Sequence, residues 1–252
     1  MTGHLAQAVV RWAEVPEVSH ALTTGRAAID ELLWRRDIRS AAAEVTAASK
    51  ITGARDSAAM EGADIAATED SPMGRVLAAA QAVTGEVPAV VDTWSSAPLQ
   101  VLARLHSVAA FQHVAPDQLG RPRVGDEVAD DPLNLGPAPE NTALRLTLLA
   151  DLVADSTDIP ALAVAGIAHA EIAGARPFVW GSGLVGRAVV RVVLAARGVD
   201  PSSFSIPEAG MMQLGRPAYV RALRAYEAGN VDEYLVWFGQ AIELGAQRVS
   251  PP

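Results

Sequence analysis

Helical spacing of apolar residues is the feature that most constrains the fold of this 252-residue chain. Apolar side chains recur every three or four residues along nearly the whole sequence, as in Ile29, Leu32 and Leu33. This spacing puts them on one face of an α-helix, and no alternating run typical of a half-buried β-strand competes with it. We therefore predict an all-α fold, with helices at about residues 5–13, 18–39, 40–60, 72–84, 97–113, 141–155, 159–174, 183–197, 217–228 and 231–247.

The hydrophobic content bounds the size of the core. Half of the residues are hydrophobic, which is enough for one globular domain, and no linker separates two cores, so we predict a single domain over residues 1–252. Alanine contributes little area per residue, so the core should rest on Leu, Val, Ile and a few aromatic residues. Those aromatic residues are Trp34, Phe178, Tyr219, Tyr226, Trp237 and Phe238.

The charge balance disfavours two classes of partner. Twenty-nine acidic against 20 basic side chains give a net charge of −9, so the surface as a whole repels nucleic acid and anionic membranes. No apolar stretch reaches the ~18 residues of a membrane span, and residues 1–15 lack the apolar segment of a signal peptide. We therefore expect a cytoplasmic protein. The absence of cysteine excludes thiolate nucleophiles and zinc–thiolate sites.

One long segment, from Ala115 to Asn141, does not follow the helical pattern. Its prolines, glycines and acidic residues break any helix, and a loop of this length is usually functional or mobile. The charge run at Asp126, Glu127 and Asp130–Asp131 is interpreted as a solvated loop.

The stretch from Arg176 to Arg187, RPFVWGSGLVGR, is the most informative part of the sequence. Pro177 and the glycines end one helix, and Ser182 stands where the N-cap of the next helix belongs. The free N–H groups and positive dipole of that helix start, with Arg187 about one turn inside, form an anion site. The alternative is that Ser182 only caps the helix and the glycines only turn the chain.

This stretch resembles the signature loop of Fic (Fido-fold) proteins, H-P-F-x-D/E-G-N-G-R-x-x-R, whose enzymes transfer AMP or related groups to protein hydroxyls. The matching positions are Pro177, Phe178, Gly181, Gly183 and Arg187. The resemblance implies a Fido-fold helical domain with at most a small β-hairpin flap between Arg121 and Pro139.

A second stretch, residues 57–62, resembles the inhibitory-helix pattern of the same family, S/T-x-x-x-E-G/N. The matching residues are Ser57, Glu61 and Gly62. The resemblance extends from about Ile29 onward, and implies N-terminal helices over 1–62 and a Fic core over 63–249. It also implies that Glu61 pairs with Arg187 at about 2.7–3.2 Å, the alternative being a solvated carboxylate at a helix end.

The departures from the signature concern the chemistry. The histidine that acts as base in active members is Arg176 here, and a guanidinium cannot lose a proton near neutral pH. The acidic position that holds magnesium is Trp180, which offers no ligand oxygen. Ser182 replaces the asparagine, and Leu184 replaces the first of two phosphate-binding arginines. We expect no catalytic residue and no metal ligand in this loop, since losing the base alone costs ~10²–10⁴-fold in rate.

What remains is an anion or nucleotide pocket formed by Gly181, Ser182, Gly183 and Arg187. It would take ATP or another nucleotide without a protein ligand for magnesium. This favours a Fic-like protein that has lost AMP transfer and has a regulatory or interaction role.

Two other functions stay open at this stage. One is an active nucleotidyl or phosphoryl transferase whose base comes from Glu61 or Glu171. The other is an interaction module, with a protein partner or a second copy, whose pocket is vestigial. Glu171 is either solvated or paired with Arg176, Arg187 or Arg191, and His106 and His169 are interpreted as hydrogen-bonded packing residues.

Overall fold

The computed structural model describes residues 4–63 and 71–251. Within these ranges the regular structure is helical and no β-strand occurs, which confirms the all-α prediction. None of the described helices combines the length and apolarity needed to cross a membrane. The helices are α1 His4–Glu14, α2 Pro16–Trp34, α3 Arg36–Ser40, α4 Ala42–Met60, α5 Pro72–Trp94, α6 Pro98–Ala110, α7 Thr142–Ala154, α8 Ala161–Ala173, α9 Ser182–Ala196, α10 Pro207–Leu214, α11 Arg216–Glu227 and α12 Val231–Gln247.

Some helix boundaries differ from the prediction. Helix α5 continues through Pro88 to Trp94, because the buried side chains of Val87 and Val90 extend its apolar face and outweigh the one hydrogen bond that proline removes. The helix expected at 18–39 is two helices, separated by Arg35 in extended conformation. The short helix α10 was not predicted. Five of the six expected core aromatic residues are buried, but Trp34 is 77% exposed at the end of α2.

Helix α9 lies at the centre of the fold. It packs against α8, α5, α6 and α4, and every residue from Ser182 to Leu194 is buried. Val189 and Val193, four residues apart, are fully buried as their spacing predicts. Residues 176–181, which we call the motif loop, are therefore held at the N-terminal end of α9, the motif helix, which is surrounded by other helices.

A close helix pair supports this centre from one side. Helices α2 and α12 pack together along most of their length. They approach closely at Gly239, where a Cβ atom would lie 2.7 Å from the backbone of Ala21. Helix α12 also contacts α8, α10 and α11, and its Tyr234 lies against His169 and Gly166 of α8.

Candidate functional site

The motif loop joins α8 to α9 through a left-handed glycine. Gly181 is the N-cap of α9 with φ of +76°, a conformation that a residue without Cβ adopts at little cost. Ser182 is the first helical residue, and its Oγ accepts a hydrogen bond from the Phe178 N–H at 3.1 Å. The N-cap position predicted for Ser182 is therefore wrong, because the turn at Gly181 moves Ser182 into the helix.

Arg187 and Glu61 form the pair that the resemblance implied. The Nη2 of Arg187 lies 2.5 Å from Oε1 of Glu61, slightly closer than expected, and the two side chains are 0% and 7% exposed. Arg187 also donates from Nε to Oγ of Ser57 at 2.8 Å and from Nη2 to the Ser57 carbonyl at 3.0 Å. Gly62, with φ of +85°, turns the chain directly after Glu61. The predicted contact between α4 and the motif helix is thus confirmed.

Carboxylates of the chain itself lie at the N-terminal end of α9. A Cβ atom at Gly183 would be only 2.1 Å from Oε1 of Glu61, so any larger residue there would displace that carboxylate. The Oδ2 of Asp130 accepts the Gly181 N–H at 3.2 Å. The positive end of the helix, predicted as a site for an external anion, therefore faces two internal ones.

Behind Arg187 a chain of hydrogen bonds crosses the core. Arg187 donates from Nη1 to the Tyr219 hydroxyl at 3.1 Å, which lies 2.9 Å from Nε2 of His169. The Tyr234 hydroxyl donates to the Gly166 carbonyl at 2.9 Å and lies 2.7 Å from Nδ1 of His169. Because the Tyr234 proton is used on Gly166, Nδ1 of His169 donates and Nε2 accepts. Burial lowers the pKa of His169 to about 3, so the ring is neutral, as its packing interpretation requires.

Arg176 occupies the position of the catalytic histidine and faces the long loop. Its side chain is buried, and its backbone has φ of +50°. The Nη1 atom lies 2.9 Å from Oδ1 of Asp131 and 3.3 Å from the Asp130 carbonyl, while Nη2 donates to the Gly136 carbonyl. These contacts make Arg176 an anchor for residues 130–136.

Aromatic stacking holds two other side chains of the motif loop, Trp180 and Phe178. Trp180, at the magnesium-ligand position, stacks on His113 with ring centroids 3.6 Å apart and planes 5° apart. Phe178 stacks on His106 at 4.1 Å. The Nδ1 of His106 accepts the Gly120 N–H at 2.9 Å, and burial lowers the pKa of His106 to about 4. His106 is a packing residue as predicted.

The loop from 115 to 141 forms no hairpin in the structure and follows the motif loop instead. The Arg123 N–H donates to the Pro177 carbonyl at 2.7 Å, and the Asp130 N–H donates to the Val179 carbonyl at 2.9 Å. The interpretation as a solvated charge run is wrong for its second half, because Asp130 and Asp131 point inward to the helix start and to Arg176.

Asp130 is the titratable group of this site. Burial raises the pKa of Asp130 to about 7. The Gly181 N–H and Arg176 act in the opposite direction, whereas the negative charges of Glu61 and Asp131 raise the pKa further. The carboxyl group therefore changes its charge near neutral pH.

Little space is left between these groups. The cavity lined by Glu61, Asp130, Arg176 and Gly183 has a volume of about 10 Å³. That is about the room that one water molecule needs. A nucleotide does not fit at the helix start in this conformation.

Two further ion pairs join residues of different helices, and each involves a glutamate. Glu171 pairs with Arg145 at 2.7 Å and accepts the Tyr226 hydroxyl at 2.5 Å, so the partners expected for it were wrong. Arg191, one of those expected partners, forms a buried pair with Glu208 at 2.7 Å. Neither pair has a sequence signal, since the partners lie 26 and 17 residues apart on different helices.

Metal ligands are the last part of the sequence prediction. Among residues 4–63 and 71–251, no group of three His, Cys, Asp or Glu side chains is placed to hold a metal ion. The expectation that the motif loop binds no metal itself stays a prediction.

Comparison with solved structures identifies the fold. Fic-1 from C. elegans is similar with a TM-score of 0.70 and 15% identity over 92% of this chain and 71% of that one. A Fic family protein from Desulfovibrio desulfuricans G20 is similar with a TM-score of 0.69 and 15% identity over 92% of this chain and 74% of that one. No family model and no curated protein matches the sequence. The chain thus has the Fido fold of Fic proteins, as its motifs predicted.

Proposed function

We propose that this Fido-fold protein has lost AMP transfer and that its motif loop has a regulatory or interaction role. The observation that carries the loss of transfer is Arg176 at the position of the base, bonded to the long loop, and the observation that carries a regulatory closure is the position of Glu61. Its carboxylate pairs with Arg187 and lies directly over Gly183, where a nucleotide phosphate would meet the helix dipole.

The side chains of the motif loop support the loss of transfer. Arg176 cannot accept a proton from a target hydroxyl, and its terminal nitrogens are bonded to the long loop. Trp180 is stacked on His113 and offers no oxygen to a metal ion. Phosphoryl transfer depends on positioned positive charge, and here Leu184 is packed in the core where the family has an arginine.

A weak nucleotide pocket remains part of the proposal. Gly181, Ser182, Gly183 and Arg187 would bind an anion such as ATP once Glu61 has moved away. The apparent affinity is then reduced by the small fraction of molecules that are open. A protein partner is favoured over nucleic acid or a membrane, because the chain carries a net charge of −9.

The test is an AMP-transfer assay with labelled ATP and magnesium. We expect no label on the protein itself or on a lysate, either for the wild type or for Glu61→Gly, which removes the carboxylate over Gly183. Label that appears with Glu61→Gly and disappears with Glu61→Gly/Arg187→Ala would overturn the proposal.

One observation favours the alternative, a transferase of altered mechanism. Glu61 and Glu171, the bases considered from the sequence, are both paired with arginines. Asp130 instead places a carboxyl group with a pKa of about 7 next to Gly181. If Glu61→Gly transfers AMP, this alternative requires that Glu61→Gly/Asp130→Asn does not.

A further inference from the structure

Residues 130–136, with the sequence DDPLNLG, lie on the protein like a bound peptide. Every second carbonyl oxygen of the segment accepts a hydrogen bond from an arginine that lies outside it. The donors are Arg176, Arg216 and Arg224, and the acceptors are the carbonyl oxygens of Asp130, Pro132, Asn134 and Gly136.

The three arginines come from two elements. Arg216 and Arg224 are both on α11, about 12 Å apart along its axis, and Arg176 belongs to the motif loop. Arg224 donates to the Asn134 carbonyl at 2.5 Å, and Arg216 donates to the Pro132 carbonyl. We call the surface formed by these three side chains the arginine groove. It is a concentration of positive charge on a chain with a net charge of −9.

The groove contacts an acidic side chain of the segment as well as its backbone carbonyl groups. Asp131 pairs with Arg176 at 2.9 Å and also accepts the N–H groups of Leu135 at 2.7 Å and Gly136 at 2.8 Å. The Asn134 N–H donates to the Asp131 carbonyl at 3.1 Å, which closes a turn at Pro132. The bound shape is therefore an acidic turn that contains proline.

The segment does not fill the groove. A cavity of about 120 Å³ remains where Leu135 and Pro137 face Leu223 and Arg224 of α11. The bonds from Arg216 and Arg224 are also exposed to solvent, where such contacts contribute little. Leu133 holds the segment in the core at 6% exposure, whereas the cavity and the exposed bonds leave the contacts with α11 open to replacement.

We propose that the arginine groove binds an acidic, proline-containing turn of a partner protein, and that residues 130–136 occupy the groove in the free protein. The inference rests on the proposed function, because the same segment closes the cavity over Gly183. A partner that takes the place of residues 130–136 at the groove thereby opens the motif loop.

The test uses a fluorescein-labelled peptide with the sequence of residues 128–139 and measures its binding by anisotropy. In Asp131→Ala the segment of the protein loses its pair with Arg176 and the side-chain bonds to the Leu135 and Gly136 amides. We expect this variant to bind the peptide at least tenfold more tightly than the wild type. Adding Arg216→Ala and Arg224→Ala, which removes two of the three groove arginines, should weaken peptide binding by this variant several-fold. Arg221→Ala, an exposed arginine on the same helix, is the matched control and should leave binding unchanged.

Peptide and segment controls make the test decisive. A peptide with both aspartates replaced by asparagine should bind at least tenfold more weakly. Hydrogen exchange of the Asp130 amide, which is bonded to the Val179 carbonyl and not to Asp131, shows whether the segment is released. If Asp131→Ala does not release it or does not fold, a variant with residues 131–135 replaced by Gly and Ser is titrated instead.

Two failures are distinguishable. Absence of peptide binding once the segment is released overturns the groove. AMP transfer by either variant overturns the proposed function and leaves peptide binding to be judged on its own.

Discussion

At the scale of single residues, Arg187 shows why a motif position survives when its catalytic neighbours are gone. A fully buried guanidinium needs an acceptor for each N–H it presents, because unsatisfied buried donors are costly. Ser57, Glu61 and Tyr219 accept four hydrogen bonds from the five N–H groups of Arg187. Arg187 is therefore part of the packing between α4, α9 and α11, whatever its relation to a nucleotide.

We expect the pair at Arg187 to contribute strongly to stability. Glu61→Ala leaves the guanidinium buried without its carboxylate and should lower the free energy of unfolding by ~3–5 kcal/mol. Urea denaturation measures this loss. Glu44→Ala, an exposed glutamate on the same helix, is the control and should change stability by less than ~0.5 kcal/mol. A loss below ~1 kcal/mol for Glu61→Ala would contradict a structural role of the pair.

The charge of Asp130 should make stability depend on pH. Its folded pKa of about 7 is above the ~3.9 of an unfolded chain, so the folded state binds more protons between these values. The contribution of Asp130 is thus fully present below about pH 4 and is lost as pH rises through about 7.

Comparison with Asp130→Asn isolates that contribution. The variant cannot ionise, so its stability relative to the wild type should rise by ~2–4 kcal/mol between pH 4.5 and pH 8. Urea denaturation at half-unit steps of pH measures it, with Asp126→Asn in the exposed part of the loop as control. A constant difference between wild type and Asp130→Asn across this range would show that Asp130 keeps its charge in the folded protein.

Some contacts between residues could be predicted from the sequence, and others could not. The Glu61–Arg187 pair could be predicted because two motifs name its members. The contact of His169 with Tyr219 and Tyr234 could not, because periodicity says which face of a helix is buried but not which polar groups meet there. Asp130 was missed for a related reason, since its acidic neighbours made a solvated loop the natural interpretation.

At the scale of elements, α4 and α9 pack closely because small residues of α4 lie against long arginine side chains of α9. Ser49 accepts hydrogen bonds from Arg191 through its hydroxyl and its carbonyl, as Ser57 does from Arg187. Between the two serines, Gly53 leaves room for the guanidinium of Arg191. The row at positions 49, 53 and 57 therefore fixes how α4 lies across the motif helix.

Filling that row should weaken the docking of α4. In Gly53→Ala the new Cβ would lie 2.3 Å from Nη2 of Arg191 and 2.8 Å from Oε2 of Glu208, so the buried pair must shift. We expect a loss of ~1–3 kcal/mol in thermal denaturation despite the better helix propensity of alanine. Gly85→Ala in α5, where nothing lies within 4 Å, should instead gain ~0.5–1 kcal/mol. Equal effects at the two glycines would refute the close fit.

Helices were predicted correctly where the apolar periodicity is strong. Helix ends and the path of the long loop were not, because they depend on backbone hydrogen bonds. The apolar spacing located α4, α8, α9 and α12 to within a few residues. The prediction ended α5 at residue 84, but the helix continues through Pro88, since a proline that removes one hydrogen bond is tolerated when the flanking turns are buried. The loop at 115–141 was recognised by composition, but its path along the motif loop depends on contacts that no local pattern contains.

At the scale of the whole molecule, the fold persists with 15% identity to the Fic structures that resemble it. In this chain the fold rests on the apolar faces of the helices and on the Glu61–Arg187 pair that joins the end of α4 to α9. The chemistry of the site, in contrast, depends on individual side chains. The departures from the family signature at positions 176, 180, 182 and 184 change those side chains and leave the fold unchanged.

The closed molecule should not respond to nucleotide. A ligand that binds only the folded state raises the melting temperature in proportion to RT ln(1 + [L]/Kd), so a filled site gives no increase. We expect millimolar ATP to leave the wild-type melting temperature unchanged and to raise that of Glu61→Gly by a few degrees relative to its own baseline. The rise should vanish in Glu61→Gly/Arg187→Ala. A clear increase for the wild type would show that the site is open in solution.

The hydrogen-bonded chain behind Arg187 gives the protein an internal spectroscopic reporter. The proton on Nδ1 of His169 is sealed from solvent between Tyr234 and the core, so it exchanges slowly and should give its own imidazole resonance far from the amide region. Its partner nitrogen shares the hydroxyl of Tyr219 with Arg187. We expect that resonance to shift when Glu61 leaves Arg187, because the Tyr219 hydroxyl joins the two residues. Opening at the motif loop can therefore be followed, in the unlabelled and unmutated protein, from a fully buried ring behind Arg187.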